Sequence, residues 1–271
     1  MPPGVETAGD AWEQLLGPLR AEPRRAAVLT DIDGTLAPIV ERAEEAAVPT
    51  EAREALAALN ERYGLVGCVS GRQALAAREL VGLDGLAYAG NHGLELLMPG
   101  ADAPESDPSI AGREREAAEF LAGDTAEIDI SGLRREDKGP IQALHWRGAD
   151  DETVAEARAR ELAVAAGQAG LEPHWGRKVL ELRPSGGGGK DAAVGSLIAA
   201  DGVDRATYAG DDRTDLDAFR RLRQLREAGD LEIAVCVGVL SPEAPAELAE
   251  ESDLTVGGPD GWLALLRWLA G

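Results

Sequence analysis

The sequence predicts an α/β fold, a doubly wound parallel sheet with a smaller inserted α+β cap domain. Short apolar runs alternate with helical patterns at both ends of the 271-residue chain, which is typical of a parallel sheet covered by helices. Between these ends the strand-like runs alternate apolar and polar residues, as expected of a sheet with one polar face. We therefore expect a core domain over 1–98 and 184–271 and a cap domain over 99–183.

The first core strand ends in two acids. An apolar run over 26–30 breaks into Asp31-Ile32-Asp33-Gly34-Thr35. Alternate residues of an extended backbone share one face, so Asp31 and Asp33 point the same way, about 6 to 7 Å apart. Carboxylates this close require a cation, a proton or a pocket rich in donors. The stretch is equally compatible with solvated acids in an Asp-Gly turn, so the rest of the chain must decide.

Polar residues also follow the next two core strands. Helices are expected over 51–63 and 73–80, and strands over 65–69 and 86–89. The second strand leads to Ser70-Gly71-Arg72 and the third to Gly90-Asn91-His92-Gly93. Ligands bind beyond the carboxyl ends of the strands in doubly wound sheets, so these residues are expected at the same edge as Asp31.

The cap segment begins with a linker rich in proline, aspartate and alanine, Pro99–Pro108. Helices are expected over 113–121 and 153–168, and strands over 127–130, 142–146 and 178–182. The glycine run before Lys190 then returns the chain to the core. It is not a P-loop, because Pro184 takes the place of the first glycine and Asp191 that of the serine or threonine. We expect a hinge that leaves Lys190 able to reach an anion near Asp31.

A second acidic strand end appears in the last third of the chain. A strand over 206–209 leads to Gly210-Asp211-Asp212-Arg213-Thr214-Asp215, and a helix, a strand over 233–239 and three shorter elements complete the sheet. Oxygen ligands from separate strands suit Mg²⁺, which prefers octahedral oxygen sites. Helix capping is the competing explanation, and it fits Thr214 or Asp215 better than Asp211.

Charge excludes several classes of partner. The chain has 49 acidic and 27 basic residues and a formal charge of −22, so its field repels nucleic acid and anionic membranes. No signal-like segment or membrane-length apolar run is present, and we expect a cytoplasmic protein. The sequence does not define an oligomeric state, and a monomer is our expectation.

Few residues remain as candidates for other chemistry. Cys68 and Cys236 each lie in an apolar run and are expected to be buried thiols. The three histidines lack metal-site spacing, so zinc is not expected. Only three of the 27 basic residues are lysines, and a lysine offers a compact charge that arginine does not. These lysines are Lys138, Lys178 and Lys190.

Four of these motifs, in this order, resemble the haloacid dehalogenase superfamily of phosphotransferases: Asp31–Leu36, Ser70-Gly71-Arg72, Lys190 and Gly210–Asp215. The similarity extends over about 28–219 and is closest to the trehalose-6-phosphate phosphatases. The stretches that resemble that family are Gly90–Glu95, Glu136–Gly139, Leu144–Arg147 and Leu180–Pro184.

The resemblance implies a mechanism and a site. Asp31 would be the nucleophile that forms an aspartyl-phosphate, Asp33 the general acid and then base, and Ser70 and Lys190 the groups that hold the phosphate. Mg²⁺ would be held at the two acidic strand ends. The resemblance places the metal at Asp31, Asp33, Asp211, Asp212 and Asp215, and the substrate at Gly71, Arg72, Asn91, His92, Glu136, Lys138, Arg147 and Glu181.

Two residues depart from the family pattern. Asp191 replaces a usual glycine and adds negative charge beside Lys190, and Leu216 stands where an acid is common. The leading hypothesis is a Mg²⁺-dependent trehalose-6-phosphate phosphatase. Two alternatives stay open: a phosphatase of another sugar phosphate, such as mannosyl-3-phosphoglycerate or sucrose phosphate, and a catalytically silent module that binds a sugar phosphate.

Overall fold

The computed structural model describes residues 8–40, 45–123, 131–176 and 178–271. They divide into two compact units, one made of the described residues up to Glu105 with Gly189–Gly271, the other of Ser106–Gly188. The second core segment therefore begins at Gly189 rather than at 184. Pro184 is the last residue of a cap strand, and Gly186 just beyond it donates its N–H to Glu172 of the same unit at 3.0 Å.

Helices and strands alternate along most of the core. Its first part holds α1 (Ala8–Ala21), β1 (Ala26–Thr30), α2 (Thr50–Arg62), β2 (Leu65–Val69), α3 (Ala74–Val81), β3 (Ala87–Gly90) and β4 (Glu95–Leu97). The chain passes from this part to the cap within β5 (Glu105–Ser106). The cap holds α4 (Glu116–Gly123), β6 (Arg134–Lys138), β7 (Ile141–His145), α5 (Glu152–Gln168), β8 (Leu171–Gly176) and β9 (Val179–Pro184). The second part of the core holds α6 (Lys190–Asp201), β10 (Arg205–Gly210), α7 (Asp215–Ala228), β11 (Ile233–Leu240), α8 (Ala246–Glu250), β12 (Leu254–Gly257) and α9 (Gly258–Ala270).

The core sheet confirms the predicted doubly wound α/β fold. Among the described residues its strand order is β12-β11-β10-β1-β2-β3-β4-β5, parallel from β12 to β3, with β4 antiparallel to β3. Val28 and Leu29 of β1 belong to different apolar clusters, one on each face of the sheet. Because the chain runs outward on both sides of β1, the carboxyl end of β1 is a switch point of the topology, where ligands bind in such sheets.

Helices α1 and α9 pack beside the first of these clusters. The rings of Trp12 and Trp268 meet edge to face with centroids 6.0 Å apart, and the Arg20 guanidinium lies 4.2 Å from the Trp268 ring. Trp262 of α9 is fully buried and donates its indole N–H to the Thr30 hydroxyl at 3.0 Å. The C-terminal helix is thereby hydrogen-bonded to the end of β1. No helix in the described ranges is long and apolar enough to span a membrane.

The cap is an α+β layer built on an antiparallel sheet of order β6-β7-β9-β8. Leu144, Leu180 and Leu182 point from one face of this sheet into a cluster with residues of α4 and α5. The other face carries mostly charged residues. The strand expected over 127–130 lies outside the described residues. Neither β6 nor β8 was predicted, because β6 consists of five charged residues and β8 contains Pro173 and a largely exposed second half.

Candidate active site

The carboxyl ends of the central core strands bring the sequence-predicted residues together. Asp31 follows β1, Ser70 follows β2, Asn91 follows β3 and Asp211 follows β10, and all four are buried. Lys190, the first residue of α6, is 3% exposed, and its Nζ lies 2.8 Å from Asp31 Oδ1. A lysine that is distant in sequence thus meets the first acidic strand end through a buried ion pair.

Asp215 organises the second acidic strand end. Its Oδ1 accepts hydrogen bonds from Lys190 Nζ at 2.5 Å and from the Tyr208 hydroxyl at 2.6 Å. Its Oδ2 accepts the backbone N–H groups of Asp211 and Asp212, each at 3.0 Å. Gly210 makes this possible, because a Cβ at that position would collide with the Asp215 side chain. Asp215 therefore links Lys190 to the loop that carries Asp211.

The buried acids are short of positive charge. Oxygen atoms of Asp31, Asp211 and Asp215 all lie within 4.8 Å of one another. Burial raises the pKa of Asp31 well above its usual value, although the neighbouring Lys190 opposes the shift. Burial and the Asp215 charge raise the pKa of Asp211 to about 7. One ammonium does not neutralise three buried carboxylates, so the donor set fits a further cation with oxygen ligands.

Asp33, in the loop after β1, and Asp211, in the loop after β10, have different hydrogen-bond partners. The Asp33 carboxylate accepts two hydrogen bonds from Arg72, Nε to Oδ2 at 2.8 Å and Nη2 to Oδ1 at 2.7 Å. The Thr35 hydroxyl donates to Asp211 Oδ1 at 3.0 Å. Gly34 has φ +95°, and a Cβ there would collide with the Asp211 carboxylate. Only glycine therefore allows the two acidic strand ends to approach this closely.

Asp212 and Asp191 lie at the margin of this cluster. Asp212 Oδ1 accepts from the N–H and hydroxyl of Thr214, both at 2.7 Å, and from the N–H of Asp215 at 3.2 Å. It therefore closes the turn that leads to Thr214, the N-cap residue of α7, and its side chain is 56% exposed. Asp191 is exposed in the first turn of α6. The expected capping of α7 by the side chain of Thr214 or Asp215 is not found, and Asp212 instead holds the turn before the helix.

A turn at the end of β3 connects the other parts of the site. The N–H of Asn91 donates to the Arg72 carbonyl at 2.7 Å and that of His92 to the Ser70 carbonyl at 3.0 Å. The N–H of Gly189 donates to the His92 carbonyl at 2.6 Å. The His92 ring lies directly over Gly71, where a Cβ would be 2.7 Å from the ring. This turn contacts both the Ser70–Arg72 loop and the start of the Lys190 helix.

In the cap, three of the predicted substrate residues share the charged face of the sheet. Glu136 and Glu181 are both paired with Ala143, from opposite sides, and therefore lie in one row. Lys138 Nζ donates to Glu181 Oε1 at 2.9 Å, and Arg183 Nη2 donates to Glu181 Oε2 at 2.6 Å. Arg147 lies beyond the end of β7 and is exposed.

Glu181 is held strongly as a carboxylate. Burial acts to raise its pKa, but Lys138 and Arg183 outweigh burial and lower the pKa to about 2. A second pair on this face joins His145 Nε2 to Glu136 Oε2 at 2.7 Å. Sequence reasoning missed Arg183, His145 and Tyr208. The two-residue spacing of Arg183 from Glu181 in a strand could have indicated Arg183, whereas Tyr208 sits in an apolar run that carries no such signal.

Comparison with solved structures defines the class of fold. A haloacid dehalogenase-like hydrolase from Bacteroides thetaiotaomicron superposes with a TM-score of 0.64 at 15% identity, over 90% of this chain and 98% of that one. The C-terminal domain of Candida albicans trehalose-6-phosphate phosphatase superposes with a TM-score of 0.72 at 22% identity, over 94% and 95%. The chain has the fold of the haloacid dehalogenase-like hydrolases.

Sequence comparison gives the family. The profile of the trehalose-phosphatases matches residues 29–249, and trehalose 6-phosphate phosphatase RA3 of Zea mays is 31% identical over 87% of this chain and 67% of that protein. The chain belongs to the trehalose-phosphatase family. An uncharacterized glycosyl hydrolase of Mycobacterium tuberculosis is 38% identical over 74% of this chain. The chain spans only 15% of that relative and 65% of a rice relative described as a probable trehalose-phosphate phosphatase.

Proposed function

We propose that this protein is a Mg²⁺-dependent phosphatase that hydrolyses trehalose 6-phosphate to trehalose and phosphate. The observation that carries the proposal is the buried cluster of Asp31, Asp211 and Lys190 at the switch point of the sheet, with Asp33 two residues beyond Asp31. Family membership supports the same chemistry.

In the first step an Asp31 carboxylate oxygen attacks phosphorus, and the bond from phosphorus to the sugar oxygen breaks. Asp33 gives its proton to that departing oxygen, which leaves as the sugar hydroxyl. The product of this step is an aspartyl-phosphate on Asp31.

In the second step the Asp33 carboxylate takes a proton from a water whose oxygen attacks the same phosphorus. The bond to Asp31 breaks, phosphate leaves, and both carboxyl groups return to their starting states. Arg72 donates two hydrogen bonds to Asp33 from one edge of its guanidinium, which fixes the orientation of the Asp33 carboxyl group. Ser70 and Lys190 donate to the phosphate oxygens, since phosphoryl transfer depends mainly on positioning and charge neutralisation.

Mg²⁺ would be held by Asp31, by the backbone carbonyl of Asp33 and by Asp211. Bound there, it would neutralise charge that develops on the transferring phosphoryl oxygens. The contacts of Asp215 and Asp212 favour a supporting role for both, because each carboxylate already accepts several hydrogen bonds from the loop and from α7. The net charge of −22 makes such local positive charge necessary for an anionic substrate.

The charged face of the cap would bind the sugar. Glu136, Lys138, Arg147 and Glu181 offer donors and acceptors suited to hydroxyl groups rather than to a second anion. We expect Lys138→Ala to lower kcat/KM for trehalose 6-phosphate roughly tenfold, the effect of one charged hydrogen bond, and to affect p-nitrophenyl phosphate less. Equal losses on the two substrates would remove Lys138 from the sugar site.

A substrate panel tests the proposal as a whole. Phosphate release is measured with trehalose 6-phosphate, sucrose 6-phosphate, mannosyl-3-phosphoglycerate and p-nitrophenyl phosphate, each with Mg²⁺ and with EDTA. We expect a clear preference for trehalose 6-phosphate that EDTA abolishes and Mg²⁺ restores. Preference for another sugar phosphate would keep the chemistry and change the substrate. Calorimetric binding without turnover in saturating Mg²⁺ would instead indicate a silent binding module.

A further inference from the structure

The turn after β3 has an unusual backbone. Asn91 and His92 have φ values of 50° and 55°, the left-handed region that residues other than glycine rarely adopt. Two consecutive residues in this conformation persist only where the surrounding structure determines them strongly. Asn91 is fully buried, so the constraint must come from the protein interior.

Glu95 supplies part of that constraint. It is the first residue of β4, it pairs across the sheet with Gly90, and it is only 8% exposed. Its Oε2 accepts the N–H of Ala74 at 3.0 Å, and its carboxylate also accepts a hydrogen bond from the Asn91 side chain. One buried carboxylate thus joins the start of α3 to the strained turn.

The Asn91-His92 turn also fixes the position of the groups that would hold the phosphate. The backbone N–H groups of Asn91 and His92 donate hydrogen bonds to the carbonyls of Arg72 and Ser70, respectively. The His92 carbonyl accepts a hydrogen bond from the N–H of Gly189, the residue before Lys190. A Cβ at Gly93 would collide with the Gly189 carbonyl, so the turn and the start of α6 are also in close backbone contact. A shift of the turn would therefore displace Ser70 and Lys190 together.

We propose that Glu95 is a positioning residue for the phosphate-binding groups: by holding Asn91 and the start of α3, it sets the turn that aligns Ser70, Arg72 and Lys190. This inference rests on the proposed function. Burial raises the pKa of Glu95, while the bonds from Ala74 and Asn91 oppose the shift. Burying a carboxylate costs free energy unless it is hydrogen-bonded, so the buried Glu95 fits the role of holding Ala74 and Asn91.

The test compares Glu95→Ala and Glu95→Gln with the unmodified protein. Glu95→Ala removes both bonds, and we expect kcat/KM to fall up to about 100-fold, the cost of a misplacement of about 1 Å in an active site. Glu95→Gln keeps an oxygen for Ala74 but loses one acceptor, so it should recover part of the activity. The loss should be the same for trehalose 6-phosphate and p-nitrophenyl phosphate, because the shared phosphate site is displaced. The inhibition constant of inorganic phosphate should rise in parallel.

A stability-matched control separates positioning from general destabilisation. Arg205 is 3% exposed at the start of β10, opposite the acidic strand end, and is paired with Glu22, Asp204 and Glu232. We expect Arg205→Gln to lower the thermal unfolding midpoint without changing kcat/KM or phosphate inhibition. If the Glu95 variants match Arg205→Gln in both stability and kinetics, the proposal is wrong. If Glu95→Ala does not fold, the proposal is tested by the kcat/KM and the phosphate inhibition of Glu95→Gln alone.

Failure of the proposed function gives a different result. In that case the unmodified protein releases no phosphate from any sugar phosphate. The Glu95 inference is then judged by binding of inorganic phosphate in calorimetry, where Glu95→Gln should weaken the affinity severalfold. Unchanged affinity would overturn it.

Discussion

The core holds a buried lysine–carboxylate cluster and the cap a half-buried one, and the balance of charge in the two is opposite. In the core, Lys190 serves Asp31 and Asp215, with Asp211 close by, and burial raises the pKa of all three acids. In the cap, Glu181 is shared by Lys138 and Arg183, and its pKa falls to about 2. Similar side chains therefore shift the pKa of the carboxyl groups upward in the core and downward in the cap.

This difference indicates what each cluster can accept. The core cluster lacks positive charge and is suited to a divalent cation, and then to an anionic phosphate brought beside it. In the cap cluster two cations share one carboxylate, so it has no comparable demand for a cation. It is suited to neutral groups such as hydroxyls, which exchange hydrogen bonds without changing the charge.

The largest expected effect comes from removing Asp31, the proposed nucleophile of the core cluster. Asp31→Asn should lower kcat on the order of 10⁴-fold or more, because the amide cannot form the aspartyl-phosphate. Circular dichroism and phosphate release, measured on the same preparation, check that the fold is retained while turnover is lost. Residual activity within tenfold of the unmodified protein would refute the assignment of Asp31.

Removing the Lys190 ammonium from the core cluster should cost stability as well as activity. Lys190→Met leaves Asp31 and Asp215 without their buried partner and should lower the free energy of unfolding by about 3–5 kcal/mol in metal-free buffer. Lys178→Met is the matched control, since Lys178 pairs with Glu152 at the surface and should contribute about 1 kcal/mol or less. Similar urea midpoints for the two variants would contradict the charge-deficit account.

The third prediction concerns the cation. Mg²⁺ at about one hundred times its dissociation constant should stabilise the protein by about 2.7 kcal/mol, and Asp211→Asn should abolish most of that gain. Glu181→Gln, a change in the cap, should retain it. Thermal unfolding with Mg²⁺ and with EDTA measures both.

The stabilisation by Mg²⁺ should also depend on pH. Because a proton competes for Asp211, the stabilisation should shrink as the pH falls below about 7. In the metal-free protein the contribution of Asp211 to stability depends on pH in the opposite direction. Ionising Asp211 is then unfavourable, so its contribution to stability declines as the pH rises through about 7.

The last prediction concerns the acid sensitivity of the cap cluster, which shows only at low pH. The folded pKa of Glu181 lies below its usual value of 4.5, so its contribution is complete above pH 4.5 and is lost as the pH falls through about 2. The side chain is 12% exposed, and the contribution should be at most about 3 kcal/mol. Glu181→Gln should flatten the acid limb of the stability profile. The exposed pair of Glu156 and Arg160 supplies the control, since Glu156→Gln should hardly change it.

The core was predictable because its signals are local. β1, β2, β3, β10 and β11 are short apolar runs, and the residues that follow them reach one sheet edge whenever the strands are parallel. Two kinds of element were not predicted from the sequence. The helix α1 contains Gly17 and Pro18, which are typical of helix ends, and the charged β6 is held by pairing with β7 rather than by its own pattern.

The site residues divide in the same way. The order of the strands brings Asp31, Ser70 and Asp211 together, so sequence reasoning could place them. The partners Tyr208 and Arg183 depend on side-chain directions that only the folded chain defines. The pairing of Asp33 with Arg72 is of this second kind, since no spacing rule links positions 39 residues apart.

The hydrogen bond from Trp262 to Thr30 has a practical meaning for how the protein is handled in the laboratory. Thr30 donates its own hydroxyl proton to the carbonyl of Asp31 at 2.8 Å, so the backbone of the proposed nucleophile is tethered to α9. Yet α9 lies beyond the stretch that carries the family signature, residues 29–249. A fragment cut to that stretch would lose the tether along with the buried Leu265, Leu266 and Leu269, so the region by which the family is recognised is shorter than the region that must be expressed.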